Sequence, residues 1–203
     1  MVRVGLTATR LVEAAADLAD EIGFENVTVS ALARQFGVKD ASLYSHIRNV
    51  QDLRARIAAL AAGEMIDRIA NAVAGRAGKD ALVAFAGAYR DYALERPGRY
   101  RATHTQPDPA ATDPAATGVA VAESSAYRRT AEVTYGMLRA YGLSEPDLTD
   151  AVRLLRSTFH GYCNLESIGG FGAPRDVQAS WERVLDALHV TLTHWPPRTK
   201  DRV

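Results

Sequence analysis

The sequence predicts an all-α fold. Three observations carry that prediction. Apolar residues recur at steps of three and four from Thr7 to about 194, no segment shows the strict alternation of a half-buried strand, and glycines or capping residues fall where one apolar run gives way to the next. Between Thr7 and Gly23, the residues Leu11, Ala15, Leu18 and Ile22 form one face of an amphipathic helix that Gly23 stops. Thr28 or Ser30 caps a short second helix holding Leu32, Ala33 and Phe36. Gly37 ends it, because the residue just past a helix often takes a positive φ. A third short helix fits residues 40–47. Asn49 caps a long fourth one, to about residue 74, with Leu53, Ile57, Leu60, Ile66 and Ile69 on its buried stripe. After a break at 75–78, helical patterns run at about 79–95, 122–141, 147–168 and 175–194.

Composition bounds the function classes. The 203 residues are 47% hydrophobic, so the core needs no staple of disulfide or metal. The single cysteine, Cys163, excludes a disulfide framework. No long charge-free apolar run occurs and MVRVGLTATR does not read as a secretory signal, so the expectation is a cytoplasmic protein with no membrane partner. With 24 basic and 24 acidic side chains, no whole-molecule field draws the chain to nucleic acid. Any such binding must come from a local patch. Residues 13–25 carry five acids (Glu13, Asp17, Asp20, Glu21 and Glu25) and no Lys or Arg, which reads as a solvated helix face. Residues 26–56 reverse the sign, with Arg34, Lys39, Arg48, Arg54 and Arg56 against Asp40 and Asp52.

Two stretches interrupt the helices. Between Pro107 and Gly118, DPAAT occurs twice in tandem, and the prolines make this a connection that is either a linker or an entrance flap. The glycine-rich run from Ile168 to Pro174 follows a helix, not a strand, and lacks a phosphate-binding lysine, so it does not read as a nucleotide site.

The chemistry lies in the N-terminal helices. A helix-turn-helix needs two short helices joined by a tight turn, with the second free to enter a major groove. Leu32, Ala33, Phe36, Gly37, Val38 and Leu43 meet that need: Ala33 is small where helices approach, Gly37 permits the turn, and the larger residues share a small core with Leu18 and Ile22. The outward face of the third helix then shows Lys39, Asp40, Ser42, Tyr44 and His46, donors and acceptors suited to phosphates and base edges.

The segment VTVSALARQFGVKDASLYSHIRNVQDLRARI resembles the DNA-binding domain of the TetR family of transcriptional regulators, and its His46-Ile47-Arg48-Asn49 is similar to the tetracycline-repressor branch. Val50 stands where many relatives carry a phosphate-clamping lysine, leaving Arg48 and the helix N-terminus for that contact. Farther on, Phe159-His160-Gly161-Tyr162 with Leu165-Glu166 and Gly169 resembles the Trp-His-Gly signature of one class of TetR ligand-binding domains, with Phe in place of Trp. The resemblance implies a three-helix DNA-binding domain at 1–48, joined by a connecting helix at about 49–74 to a helical effector-binding and dimerisation domain within 49–203. Thr28, Ser30, Lys39, Asp40, Ala41, Ser42, Tyr44, His46, Arg48 and Asn49 become the DNA-binding set. Tyr44 and His46 are placed for phosphates; Ser30, Lys39, Asp40, Ala41 and Ser42 are placed for bases. The partners implied are a double-stranded operator, a small-molecule effector, and a second copy of the chain.

The last two long helices carry Leu148, Val152, Leu155, Val184, Leu188 and Leu192 at helical spacing, which suits a four-helix dimer interface. Tyr89, Tyr92, Tyr135, Phe159, His160 and Cys163 are the candidate effector residues, though most aromatics in a helical domain are simply core. His160 and Cys163 share a helix without a third ligand nearby, so packing explains them better than a metal, and neither metal nor other cofactor is expected. His189 and His194 point to different faces, and Asn26-Val27-Thr28 reads as a helix start instead of a glycosylation acceptor. The function implied is a ligand-responsive regulator, first of all a repressor, with activation the other direction. A helical enzyme or binding protein with a merely structural helix-turn-helix is the alternative. No H-E-x-x-H, G-x-S-x-G or P-loop lysine supports catalysis, and no catalytic residue is assigned.

Overall fold

The computed structural model describes residues 6–105 and 117–197. Each helix begins where the sequence supplies a cap. Thr7 Oγ1 accepts from the Arg10 amide at 3.3 Å and opens α1 (Ala8–Ile22); Gly23, at φ 89°, closes it. Thr28 Oγ1 accepts from the Ala31 amide at 3.1 Å and opens α2 (Val29–Phe36). Gly37 then adopts the left-handed region at φ 64°, ψ 32°, returning its N–H to the end of α2. The third helix, α3, is Asp40–Leu43. It is shorter than the predicted 40–47, because residues 44–46 tighten into a turn that swings Ile47 into the core, where it is 2% exposed. Asn49 Oδ1 accepts from the Asp52 amide at 2.8 Å and starts α4 (Val50–Val73). There follow α5 (Gly78–Glu95), α6 (Pro97–Ala102), α7 (Thr117–Leu138), α8 (Asp147–Ser167) and α9 (Val177–Thr193). No strand occurs among the described residues. The 107–118 connection lies outside them except for Thr117 and Gly118, which begin α7.

The chain divides into two units, one of Met1–Asp67 with Tyr92–Thr130 and one of Arg68–Asp91 with Ala131–Val203. In the first, Leu11, Ala15 and Leu18 of α1 pack with Leu32 of α2, Leu43, Ile47, and Leu53 and Ile57 of α4. Ile22 and Val38, both expected in this core, are instead 41% and 40% exposed, at the end of α1 and in the turn between α2 and α3. Ala102 of α6 joins the same core, fully buried. Helix α6 lies so close to α1 that a Cβ on Gly98 would stand 2.0 Å from the Ala19 carbonyl oxygen. Only glycine fits there.

Beside that contact the Arg99 guanidinium is buried among carboxylates. Nη2 donates to Asp17 at 3.0 Å, Nη1 donates to Asp20, and Nε lies 3.2 Å from Glu64 of α4; the Arg99 backbone amide also donates to Asp20 at 2.9 Å. Burial alone would lower the Arg99 pKa, but the hydrogen bonds of Asp17 and Asp20 and the Glu64 charge raise it instead. Arg96 stands 3.7 Å from Asp20, and Arg101 Nε donates to Glu25 at 2.6 Å. The acidic run of α1 is therefore not merely a solvated face. It receives the arginines of α6.

In the second unit, Leu82, Phe85 and Tyr89 of α5 are buried, as are Leu155, Phe159 and Cys163 of α8 and Trp181, Leu185, Leu188 and Leu192 of α9. The glycine-rich run after α8 is a helix end: the Gly170 amide donates to the Leu165 carbonyl at 2.7 Å, and Phe171 packs on Tyr162 with ring centroids 4.7 Å apart.

Two substitutions test the α1–α6 contact. Gly98→Ala is expected to lower stability by ~2 kcal/mol or more, because the methyl group meets backbone that cannot rotate away. Arg99→Ala is expected to lower it by about 2–3 kcal/mol, since the half-buried Asp20, with Asp17 and Glu64, loses the cation these carboxylates share. Urea unfolding of the whole chain followed by circular dichroism measures both; midpoints equal to the parent's would refute the contact.

Candidate nucleic-acid interface and the aromatic cluster of the second unit

The α2–Gly37–α3 turn brings the sequence-predicted DNA-facing residues onto one exposed strip. Ser30, Lys39, Asp40, Ala41, Ser42, Tyr44, Arg48 and Asn49 are all exposed, with Tyr44 at 53%. His46 is half-buried. Thr28 is exposed, its hydroxyl oxygen engaged as the α2 cap. The Ser30 hydroxyl donates to Asp40 Oδ2, joining the starts of α2 and α3. Val50, where the sequence departs from the lysine of many relatives, is half-buried against the core of the first unit. The start of α4 already holds an internal anion: Asp52 Oδ2 accepts from the Arg48 amide at 2.9 Å, and Asp52 Oδ1 from Arg56 Nε at 3.0 Å.

The second unit gathers three of the six candidate effector residues and leaves the others apart. Phe159 sits at the centre of a ring cluster, with centroids 5.7 Å from Tyr89, 5.7 Å from Trp181 and 6.1 Å from Phe85. Cys163, one turn after Phe159, is buried, and burial with the Glu166 charge behind it pushes its thiol up to about 12. His160 is half-buried and Tyr135 is 41% exposed on α7. Tyr92 belongs to the first unit, where its hydroxyl lies 3.0 Å from Glu64 and 3.1 Å from the Ala61 carbonyl. Burial first, and then the Glu64 charge, raise its pKa.

Arg90, which the sequence reading passed over, braces the cluster. Its Nε and Nη2 grip Glu166 at 2.7 and 2.6 Å, its Nη1 reaches Gln178, and its guanidinium lies 5.6 Å from the Trp181 ring. Of the six residues assigned to a dimer face, Leu155, Leu188 and Leu192 are buried within the chain's own second unit, while Leu148, Val152 and Val184 are half-buried. The exposed apolar side chains of these two helices are Leu165 of α8 and Val190 of α9, at 43% and 57%.

Residues 11–57 match the family of bacterial regulatory proteins, tetR family, and residues 82–188 match the tetracyclin repressor-like C-terminal domain. YobS of Bacillus subtilis (strain 168), an uncharacterized HTH-type transcriptional regulator, is 32% identical over 178 residues, 88% of each chain. The chain belongs to the TetR family of transcriptional regulators. Two solved structures share its fold. A Rhodococcus sp. RHA1 protein of unknown function aligns at a TM-score of 0.73 and 22% identity, over 95% of this chain and 98% of its own. BioQ, in a crystal structure with its natural double-stranded DNA operator, aligns at 0.56 and 20%, over 93% and 99%.

In this TetR-family chain the α2–α3 pair is thus the helix-turn-helix, and α6 is the element that sequence reading missed. The signal was present: Arg96, Arg99 and Arg101 in a short proline-started helix complement the acids of 13–25. No helix among the described residues is long and apolar enough to cross a membrane.

Cys163 offers a test of the packing. The native protein is expected to resist thiol reagents at pH 8 and to react fully once unfolded, because a buried thiol with a raised pKa supplies almost no thiolate. Prompt labelling of the folded chain would show that the cluster is open.

Proposed function

We propose that this TetR-family regulator binds a palindromic duplex operator as a homodimer, represses from it, and releases it when a small-molecule effector occupies the second unit. The observation that carries the reading is the exposed α3 strip, offered by a helix-turn-helix whose Leu32, Ala33 and Leu43 are buried in the core of the first unit. BioQ, a relative in fold, was crystallised with its DNA operator, which supports the same role here. In this reading residues 1–48 are the DNA-binding domain, 49–74 the connecting helix, and 49–203 as a whole the effector and dimer domain of a cytoplasmic, non-enzymatic protein. Tyr44 and His46 hold phosphates. Thr28, Arg48 and Asn49 flank them, and Ser30, Lys39, Asp40, Ala41 and Ser42 face bases.

Dimerisation gives one recognition helix per half-site, with half-sites one helical turn, about 34 Å, apart. The last two helices remain the proposed interface, through the exposed Leu165 and Val190 and the half-buried Val152 and Val184. For the effector, the Phe159 cluster with Tyr89 and Cys163 is the proposed site, with His160 and Tyr135 of the same unit as further candidates, whereas Tyr92 lies in the first unit. Phe159-His160-Gly161 would make this a variant of the Trp-His-Gly class. A ligand releases DNA only by favouring the non-binding state, and about 1–3 kcal/mol of coupling gives a 5- to 150-fold loss of affinity. Continuous helix through Val50–Val73 supports such coupling.

Selection of bound duplexes from a random library tests the operator. A palindrome is expected, and enrichment of no sequence overturns the reading. Tyr44→Phe and His46→Ala should each weaken operator binding by about five- to tenfold, the cost of one phosphate hydrogen bond, with the melting temperature unchanged; if both bind as the parent does, those two residues do not contact DNA. For the dimer, Leu165→Asp with Val190→Asp should sediment as a monomer at micromolar concentration and lose most operator affinity, because a single half-site gives up the gain from linked binding. A dimer that survives both charges would move the interface elsewhere.

A further inference from the structure

We propose that Asp40, held by Ser30, reads the exocyclic amino group of a cytosine in each half-site; this rests on the operator reading above. The Ser30 hydroxyl, on the first turn of α2, donates to Asp40 Oδ2, on the first turn of α3, and both side chains are exposed on the recognition strip. Among the described residues no donor meets Asp40 Oδ1, and no Lys or Arg pairs with this carboxylate. Its charge favours the first turn of α3, but its side chain does not cap that helix: the residue at the cap is Lys39, with no side-chain cap bond.

A carboxylate on a surface that meets a polyanion weakens every non-specific encounter with phosphate. A simple brace between α2 and α3 does not need that charge, because the neutral carbonyl oxygen of an Asn accepts the same Ser30 hydrogen bond. What Asp has and Asn lacks is acceptor-only chemistry. Guanine offers two acceptors at its major-groove edge, thymine offers an acceptor and a methyl group, and adenine sets an acceptor beside its amino donor. Cytosine alone offers a donor without an adjoining acceptor. Oδ1 therefore matches cytosine N4–H and is repelled by the acceptors of guanine and thymine, so the residue specifies as much by rejection as by attraction. Ser30 fixes the carboxylate before DNA arrives, leaving one oxygen outward.

The test is duplex selection with the parent, Asp40→Ala, Asp40→Asn and Ser30→Ala, each first checked for an unchanged melting temperature. The parent is expected to require a C·G pair at one symmetric position of each half-site, with roughly tenfold or greater loss when it is replaced. Asp40→Ala loses that requirement while the rest of the palindrome stands. Asp40→Asn moves the preference to adenine, whose N6 and N7 fit an amide pair. Ser30→Ala keeps cytosine but discriminates less sharply. If Asp40→Asn selects the parent's half-site unchanged, or if the position altered in Asp40→Ala is not cytosine in the parent, the inference is overturned with the operator reading intact. If the parent enriches no duplex at all, the operator reading itself has failed and this one falls with it.

Discussion

The first unit depends on a charge buried where two backbones nearly touch. Helix α6 is six residues long and cannot hold itself in place by its own hydrogen bonds. Gly98 lets it settle on Ala19, and Arg99, left 6% exposed, then needs anions within the protein. It finds them on two helices: Asp17 and Asp20 on α1, and Glu64 on α4. Tyr92 closes the arrangement by meeting the same Glu64. A buried cation lacking such partners would cost far more than it contributes, so the position of α6, the separation of α1 from α4 and the rotamer of Arg99 are fixed together. The core that carries α2 and α3 includes Ala102 of α6, and the recognition strip inherits its placement from this contact.

The sequence made the helix-turn-helix legible because its determinants are local. Thr28, Gly37 and Asn49 act within four residues of themselves, as caps and as a left-handed turn, and each stands where the chain order alone puts it. The same periodicity anticipated the exposure of Lys39, Asp40, Ser42 and Tyr44 but not the half-burial of His46. Helix ends were less secure: α3 stops at Leu43, four residues early, because burying Ile47 outweighs continuing a short exposed helix. The Arg99 network was hidden for the opposite reason. Its partners lie 79 and 82 residues away, and nothing in spacing reports which acidic face meets which basic helix.

The aromatic residues show a second limit. Helical spacing puts Phe159 and Cys163 one turn apart but cannot say which neighbour's rings fill the space beside them. Tyr89 and Tyr92 are three apart on α5, a spacing that reads as one face, yet Tyr89 packs on Phe159 while the Tyr92 hydroxyl turns to Glu64. Leu155, Leu188 and Leu192 read equally well as a dimer seam or as a core, since both call for an apolar stripe. Burial distinguishes them: these leucines are used within one chain, and an interface on the same helices must draw on their remaining faces.

Charge placement explains how a chain with no net charge can still address DNA. Acids on and just after α1 would otherwise repel phosphate, but Asp17 and Asp20 share Arg99 of α6 and Glu25 pairs with Arg101, so their field falls off quickly beyond the pairs. Asp52 is likewise held by the Arg48 amide and Arg56 at the start of α4. That internal carboxylate favours the helix dipole much as an external phosphate would, and with Val50 turned to the core this corner of the surface offers a phosphate less than a lysine would. The exposed cations of α2 and of the turns on either side of α3 are Arg34, Lys39 and Arg48. Few cations mean a shallow salt dependence and modest non-specific affinity. In the proposed reading, discrimination then depends on base edges more than on backbone charge, and a carboxylate that only Ser30 holds has an effect large enough to matter.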